Sequence, residues 1–97
     1  MNRYSIIQNS MSNCFICGTN KNIHIHEIFY GTAHRQLSIK YGLCIGLCAM
    51  HHNMSDDGIH FNKQLDLRIK QMAQQECMEY YHMSMDQWMK IFRRNYL

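Results

Sequence analysis

Fourteen residues of this 97-residue chain, Leu47 to His60, read Leu-Cys-Ala-Met-His-His-Asn-Met-Ser-Asp-Asp-Gly-Ile-His and hold one Cys, three His and two Asp. These are metal-ligand side chains. Cys48 and His51 are three apart, the spacing at which a tight turn offers a thiolate and an imidazole to one tetrahedral zinc ion. If a helix begins within Cys48 to Met54, successive side chains rotate by roughly 100°, so His51 and His52 must serve different centres. His60 lies eight residues beyond His52, about 12 Å along a continuous helix, which is too far to share a ligand site. The Ser55-Asp56-Asp57-Gly58 turn signal breaks the helix and lets the chain bring His60 back toward His52.

A second ligand pair stands upstream in Cys14-Phe15-Ile16-Cys17-Gly18, two thiolates three apart followed by a glycine that tolerates the positive φ such turns need. Cys14, Cys17, Cys48 and His51 therefore form the expected set for a structural Zn²⁺. The separation between Cys17 and Cys48 far exceeds the linker of about 12 to 15 residues inside an ordinary zinc finger, so a whole β-hairpin must lie between the two pairs. Its first strand is Ile23 to Phe29, where period-two alternation puts Ile23 and Ile25 on one face and His24 and His26 on the other. Its second is the apolar run Leu43 to Leu47, which can pair antiparallel with the first and deliver Cys48 beside Cys14 and Cys17. Cys44 and Cys77 are left over and read as core thiols.

The remaining elements position this assembly. Residues 1–12 read as a short N-terminal strand or arm, and Tyr30 to Gly42, bounded by glycines, as a long loop with at most a helical turn. Within that loop Arg35 and Lys40 either lay cations against phosphates or are plain solvated charges. Asn62 can cap a helix whose Leu65, Ile69, Met72, Ala73, Cys77 and Tyr80 recur at steps of three or four, with Lys63, Arg68, Lys70 and Gln71 mostly outside. Ser84 and Gln87 have the capping-box spacing and start a final helix with Met85, Trp88, Met89 and Phe92 on one side. Near its end Lys90, Arg93 and Arg94 complement the helix dipole, and Arg94 is a further candidate phosphate contact.

Composition sets the outer bounds. Ninety-seven residues predict a single domain over 1–97: an arm over 1–12, a zinc-stapled core over 13–61 and helices over 62–97. A net charge of +3 permits nucleic-acid binding without requiring it. Five cysteines, an odd number, and no positively charged opening followed by an apolar run argue against secretion and a disulfide framework, and a reducing cytosol is expected. No apolar run reaches the roughly 18 residues a membrane span needs.

Taken in order, the Cys-x-x-Cys, the His-bearing strand, the second strand and the Cys-x-x-His-His followed by a further His resemble the HNH endonucleases, the ββα-metal nuclease superfamily, and its small zinc-stapled phage members in particular. The resemblance spans roughly Cys14 to His60. It implies an α+β fold: a ββα-metal core of a β-hairpin and a short helix, stapled by structural zinc and followed by two C-terminal helices. His26-Glu27 is similar to the His-Glu of the family's first strand, which implies His26 as general base with Glu27 beside it. His52 and His60 correspond to the residues that hold the catalytic divalent ion. Ile25 occupies the place of the usual strand ligand, leaving His24, Glu27 or water to complete the set. The family's middle Asn has no match near Leu43, Asn53 being adjacent to the site but out of place, and His52 and His60 are eight apart where the family's helix ligands are three or four apart.

The activity this implies is hydrolysis of DNA phosphodiester bonds with Mg²⁺, Mn²⁺, Ni²⁺ or Zn²⁺, the imidazoles favouring the transition ions. Such an enzyme, if phage-encoded, would work in the bacterial host cytosol. The alternative is a non-catalytic zinc module of the same fold that binds nucleic acid or a protein partner. That reading needs only Cys14, Cys17, Cys48 and His51, whereas the enzyme needs His26, His52 and His60 to converge.

Overall fold

The computed structural model describes residues 3–54 and 58–97 of the chain. Two strands, β1 (Ile23–Glu27) and β2 (Cys44–Cys48), pair antiparallel with Ile23 opposite Cys48, Ile25 opposite Gly46 and Glu27 opposite Cys44. The domain is α+β, because three helices accompany this pair: α1 (Thr32–Tyr41), α2 (Lys63–Tyr80) and α3 (Met85–Phe92). A single π turn, Met50–Met54, follows β2 directly. No helix among the described residues is long and apolar enough to cross a membrane.

The connection between the strands corrects the sequence reading, since the expected loop over Tyr30 to Gly42 contains the ten-residue helix α1. No side chain caps its start at Gly31, so sequence carries no N-terminal signal there. Its end is marked by Gly42 in the left-handed conformation, φ 73°. Ser38, fully buried, fixes α1 to the end of β1: its hydroxyl donates to the Phe29 carbonyl at 2.7 Å and accepts from the Phe29 amide at 2.9 Å.

Of the two forms expected for residues 1–12, strand or arm, the described residues take the arm. Residues 3–15 run in irregular conformation over α1 and along the free edge of β2. Ile6 N–H donates to the Gly42 carbonyl, Gly46 N–H to Gln8 Oε1, and Phe15 N–H to the Gly46 carbonyl. The outward N–H and C=O of Gly46 on the free edge of β2 are thereby satisfied by covering rather than by a third strand. Gly46 is required for this approach: a Cβ there would meet the Met11 carbonyl oxygen and lie 2.7 Å from that of Asn13.

Both C-terminal helices start where their caps predict. Asn62 accepts from the Leu65 amide, and Ser84 with Gln87 forms a reciprocal capping box. Trp88 and Phe92 of α3 are stacked at 3.8 Å and wholly buried against Phe29. Cys44 and Cys77 are buried thiols. Tyr80, expected on the core face of α2, is exposed, while the buried Gln74 ties the C-terminal segment down by bonding both Asn95 Oδ1 and the Tyr96 amide.

Two clusters of metal-ligand side chains

The π turn sends its neighbouring histidines to two different clusters. On one side Cys14, Cys17, Cys48 and His51 present ligand atoms that all lie within 4.8 Å of one another. Cys48 Sγ is 3.2 Å from His51 Nδ1, Cys14 Sγ is 3.6 Å from the same nitrogen, and Cys17 Sγ is 3.8 Å from Cys48 Sγ. Tetrahedral zinc with bonds of about 2.3 Å to sulfur and about 2.0 Å to nitrogen would hold its ligand atoms about 3.5 to 3.8 Å apart. Two of the three separations fall in that span and the Cys48-His51 one is shorter, so the donor set could hold a metal ion, with Nδ1 as the His51 nitrogen that faces the sulfurs.

The backbone acts unequally on these thiols. Burial works against the Cys14 thiolate, but the Cys17, Cys48 and Ile16 amides outweigh it and bring the thiol down to about 6. At Cys17 the Thr19 amide favours the thiolate, yet partial desolvation and the adjacent Cys14 and Cys48 sulfurs push its pKa up. Packing three sulfurs together is costly for more than one negative charge unless a cation joins them.

On the other side of the turn, His26, His52 and His60 also present ligand atoms within 4.8 Å of one another. His52 Nε2 and His60 Nε2 are 3.1 Å apart, inside the span of about 3.0 to 3.4 Å expected for two imidazoles on one ion at bonds of about 2.1 Å. The chain folds back as the Ile59 amide donates to the His51 carbonyl and the His60 amide to that of His52. The Ser55-Asp56-Asp57 part of the expected turn lies outside the described residues.

His26 is the most buried of the three. The alternation of β1 puts His26 in the interior at 3% exposure and leaves Ile25, its apolar neighbour, 39% exposed. The face toward the π turn is lined by histidines and the opposite face is only thinly covered, so hydrophobicity does not choose the buried side here. Nε2 of His26 is buried and meets no hydrogen-bond partner among the described residues. Burial, helped by the nearby His52, His60 and Lys70, lowers its pKa to about 3, so the ring is neutral with a free lone pair. The same causes, burial first and then His60 and His24, lower the pKa of His52.

The other expected site residues are placed otherwise. His24 stands outside the three-histidine group, with its Nδ1 3.2 Å from His52 Nδ1. Glu27 is turned to two cations, Arg35 at 3.1 Å and Arg3 at 3.5 Å. Arg35 is nonetheless 62% exposed along its side chain and lines a polar groove of about 370 Å³ with Tyr30, Gly31, Thr32 and Gln36. Lys40 lies over the Tyr41 ring and Arg94 over the Tyr96 ring.

Three residues beside the histidines were not visible in the sequence. Tyr30 donates to Asp66 Oδ2 at 3.0 Å, Lys70 pairs with the same oxygen at 2.9 Å, and the Lys70 ammonium sits 4.2 Å above the Tyr30 ring. Tyr30 in turn packs against His60 and His26, with ring centroids at 5.4 and 5.9 Å. Burial and then Asp66 push the Tyr30 phenol up to about 12. The i, i+4 spacing of Asp66 and Lys70 was the available signal, but it reads equally as a solvated helix pair. No family model, curated protein or solved structure matches this chain.

Proposed function

We propose that this chain is a metal-dependent endonuclease or nickase of the HNH, ββα-metal type, whose Cys14-Cys17-Cys48-His51 zinc is structural and whose His26, His52 and His60 hold a second, catalytic divalent ion. The observation that carries the reading is the convergence of three imidazoles from β1, the π turn and the following bend, with ligand atoms within 4.8 Å. The antiparallel pair followed at once by a helical turn, with Cys48-x-x-His51-His52 running from the end of β2 into that turn, supports the ββα-metal assignment.

Within this reading His26 is a ligand rather than the proton acceptor. A base with a pKa near 3 is poorly matched to work at neutral pH, whereas a buried neutral imidazole with an unpartnered nitrogen is what a cation requires. Glu27, held by Arg35 and Arg3, orients the end of β1. When bound, the ion would supply Lewis acidity toward a phosphodiester and acidify water, the imidazole set favouring Mn²⁺, Ni²⁺ or Zn²⁺ over Mg²⁺. Tyr30, clamped by Asp66 and Lys70, closes one side of the site, and Arg35 lines the adjoining groove along which a DNA phosphate could lie.

One observation favours the non-catalytic zinc module instead: of the two residues expected to move a proton, His26 is buried with its pKa lowered to about 3 and Glu27 is ion-paired to Arg35 and Arg3. Nicking of supercoiled plasmid separates the two. With the cysteine site filled by zinc, the endonuclease nicks on addition of Mn²⁺, Ni²⁺ or further Zn²⁺. His52→Ala and His60→Ala should each lower the rate by at least about 10²-fold while DNA affinity, resting on phosphate contacts, survives. Absence of nicking with every ion by protein that binds DNA would establish the module.

A further inference from the structure

We propose that His24 is a positioning residue for the histidine site: its Nδ1 accepts a hydrogen bond from His52 Nδ1–H and so fixes the tautomer in which His52 Nε2 carries the lone pair that faces His60 and His26. The inference rests on the endonuclease reading's second ion, but the contact itself lies within the chain.

A neutral imidazole has one N–H and one lone pair, on opposite edges of the ring. His52 meets a histidine nitrogen at each edge, His24 Nδ1 at 3.2 Å from Nδ1 and His60 Nε2 at 3.1 Å from Nε2. Nε2 is the His52 nitrogen that meets His60, a member of the same group as His26, and with Nε2 as the ligand atom the proton sits on Nδ1. A metal-binding histidine nearly always gives its other N–H to an acceptor that sets ring orientation and basicity. For His52 the partner at that edge is His24, whose ring stands edge-on at 77° with its centroid 5.3 Å away.

The position of His24 suits that task and little else. It occupies an exposed place on β1, so core packing does not account for it. The pairing of β1 with β2 fixes its backbone opposite Leu47, just ahead of the Cys48 and His51 ligands and the adjacent His52. It cannot share the ion with His26, His52 and His60 unless that ion also reached the far edge of the His52 ring. This assigns His24 a role distinct from the direct coordination that its shared strand face with His26 suggests.

Two variants and two readouts test the proposal. In ¹⁵N-labelled protein with zinc in the cysteine site, two-bond ¹H–¹⁵N spectra should show His52 as the Nδ1–H tautomer in the parent and in His24→Gln, whose carbonyl oxygen can accept the same proton. His24→Leu should release His52 to a tautomer mixture. Titration with Co²⁺ should show second-site affinity falling about 10- to 100-fold in His24→Leu and largely recovering in His24→Gln. An Nε2–H His52 in the parent, an unchanged affinity in His24→Leu, or a Co²⁺-shifted His24 nitrogen would each overturn it. A parent that binds no second Co²⁺ would remove the endonuclease reading, while a His52 tautomer that still depends on His24 would uphold the positioning contact.

Discussion

His26 and the five cysteines bear the most at the scale of single residues. If His26 is a ligand, His26→Ala should lower second-site metal affinity at least about 100-fold, more than loss of an outer partner does. If it were instead the proton acceptor, affinity would hold and only the cleavage rate would fall; calorimetric titration of Ni²⁺ decides. Because the ring is buried, His26→Ala should also cost stability, about 0.5 to 3 kcal/mol, where a partly exposed strand histidine would cost little. Among the thiols, burial pushes Cys44 and Cys77 up to about 11, which keeps them protonated in the core. Cys44→Ala and Cys77→Ala should therefore retain one zinc per chain by native mass spectrometry, whereas Cys14→Ala and Cys48→Ala should lose it. The cysteine group was legible because Cys-x-x-Cys and Cys-x-x-His have few other uses in a chain with an odd thiol count. The depth of His26 was not, since period-two alternation gives two faces without saying which is inside.

Elements divide along the same line. The helices α2 and α3 were readable from Asn62 and from the Ser84 and Gln87 box, local signals that act through backbone amides. Helix α1 was not, because Gly31 offers no side-chain cap and its ten residues bury little beyond Ser38 and Ile39; what secures it is the nonlocal Ser38 to Phe29 pair. Ser38→Ala should leave the Phe29 amide without its acceptor and cost about 1 to 3 kcal/mol in urea unfolding, while Ser38→Thr should recover part of it. The covering of β2 by residues 3–15 was likewise hidden, since its condition is the absence of a side chain at Gly46. Gly46→Ala should push the segment at Met11 and Asn13 off the strand. The readout is faster proteolysis ahead of Cys14 together with weaker zinc retention.

Across the whole molecule the two clusters are joined at a peptide bond, because His51 belongs to one and His52 to the other. Zinc on Cys14, Cys17, Cys48 and His51 would tie the N-terminal segment, the end of β2 and the π turn together, and thereby aim His52 at His26 and His60. Structural zinc in small sites contributes about 10 to 16 kcal/mol of apparent binding energy, as large as the net stability of most domains. Removing it with a chelator should disorder the π turn and abolish second-site binding even though none of the second-site ligands is touched. The most direct measurement is X-ray absorption at the nickel edge on protein carrying zinc in the cysteine site and one equivalent of added Ni²⁺. A nickel shell of nitrogen and oxygen with three imidazoles is expected, free of sulfur and reduced to two imidazoles in His26→Ala. Nickel bound by sulfur, or no nickel bound beyond the zinc, would contradict this expectation.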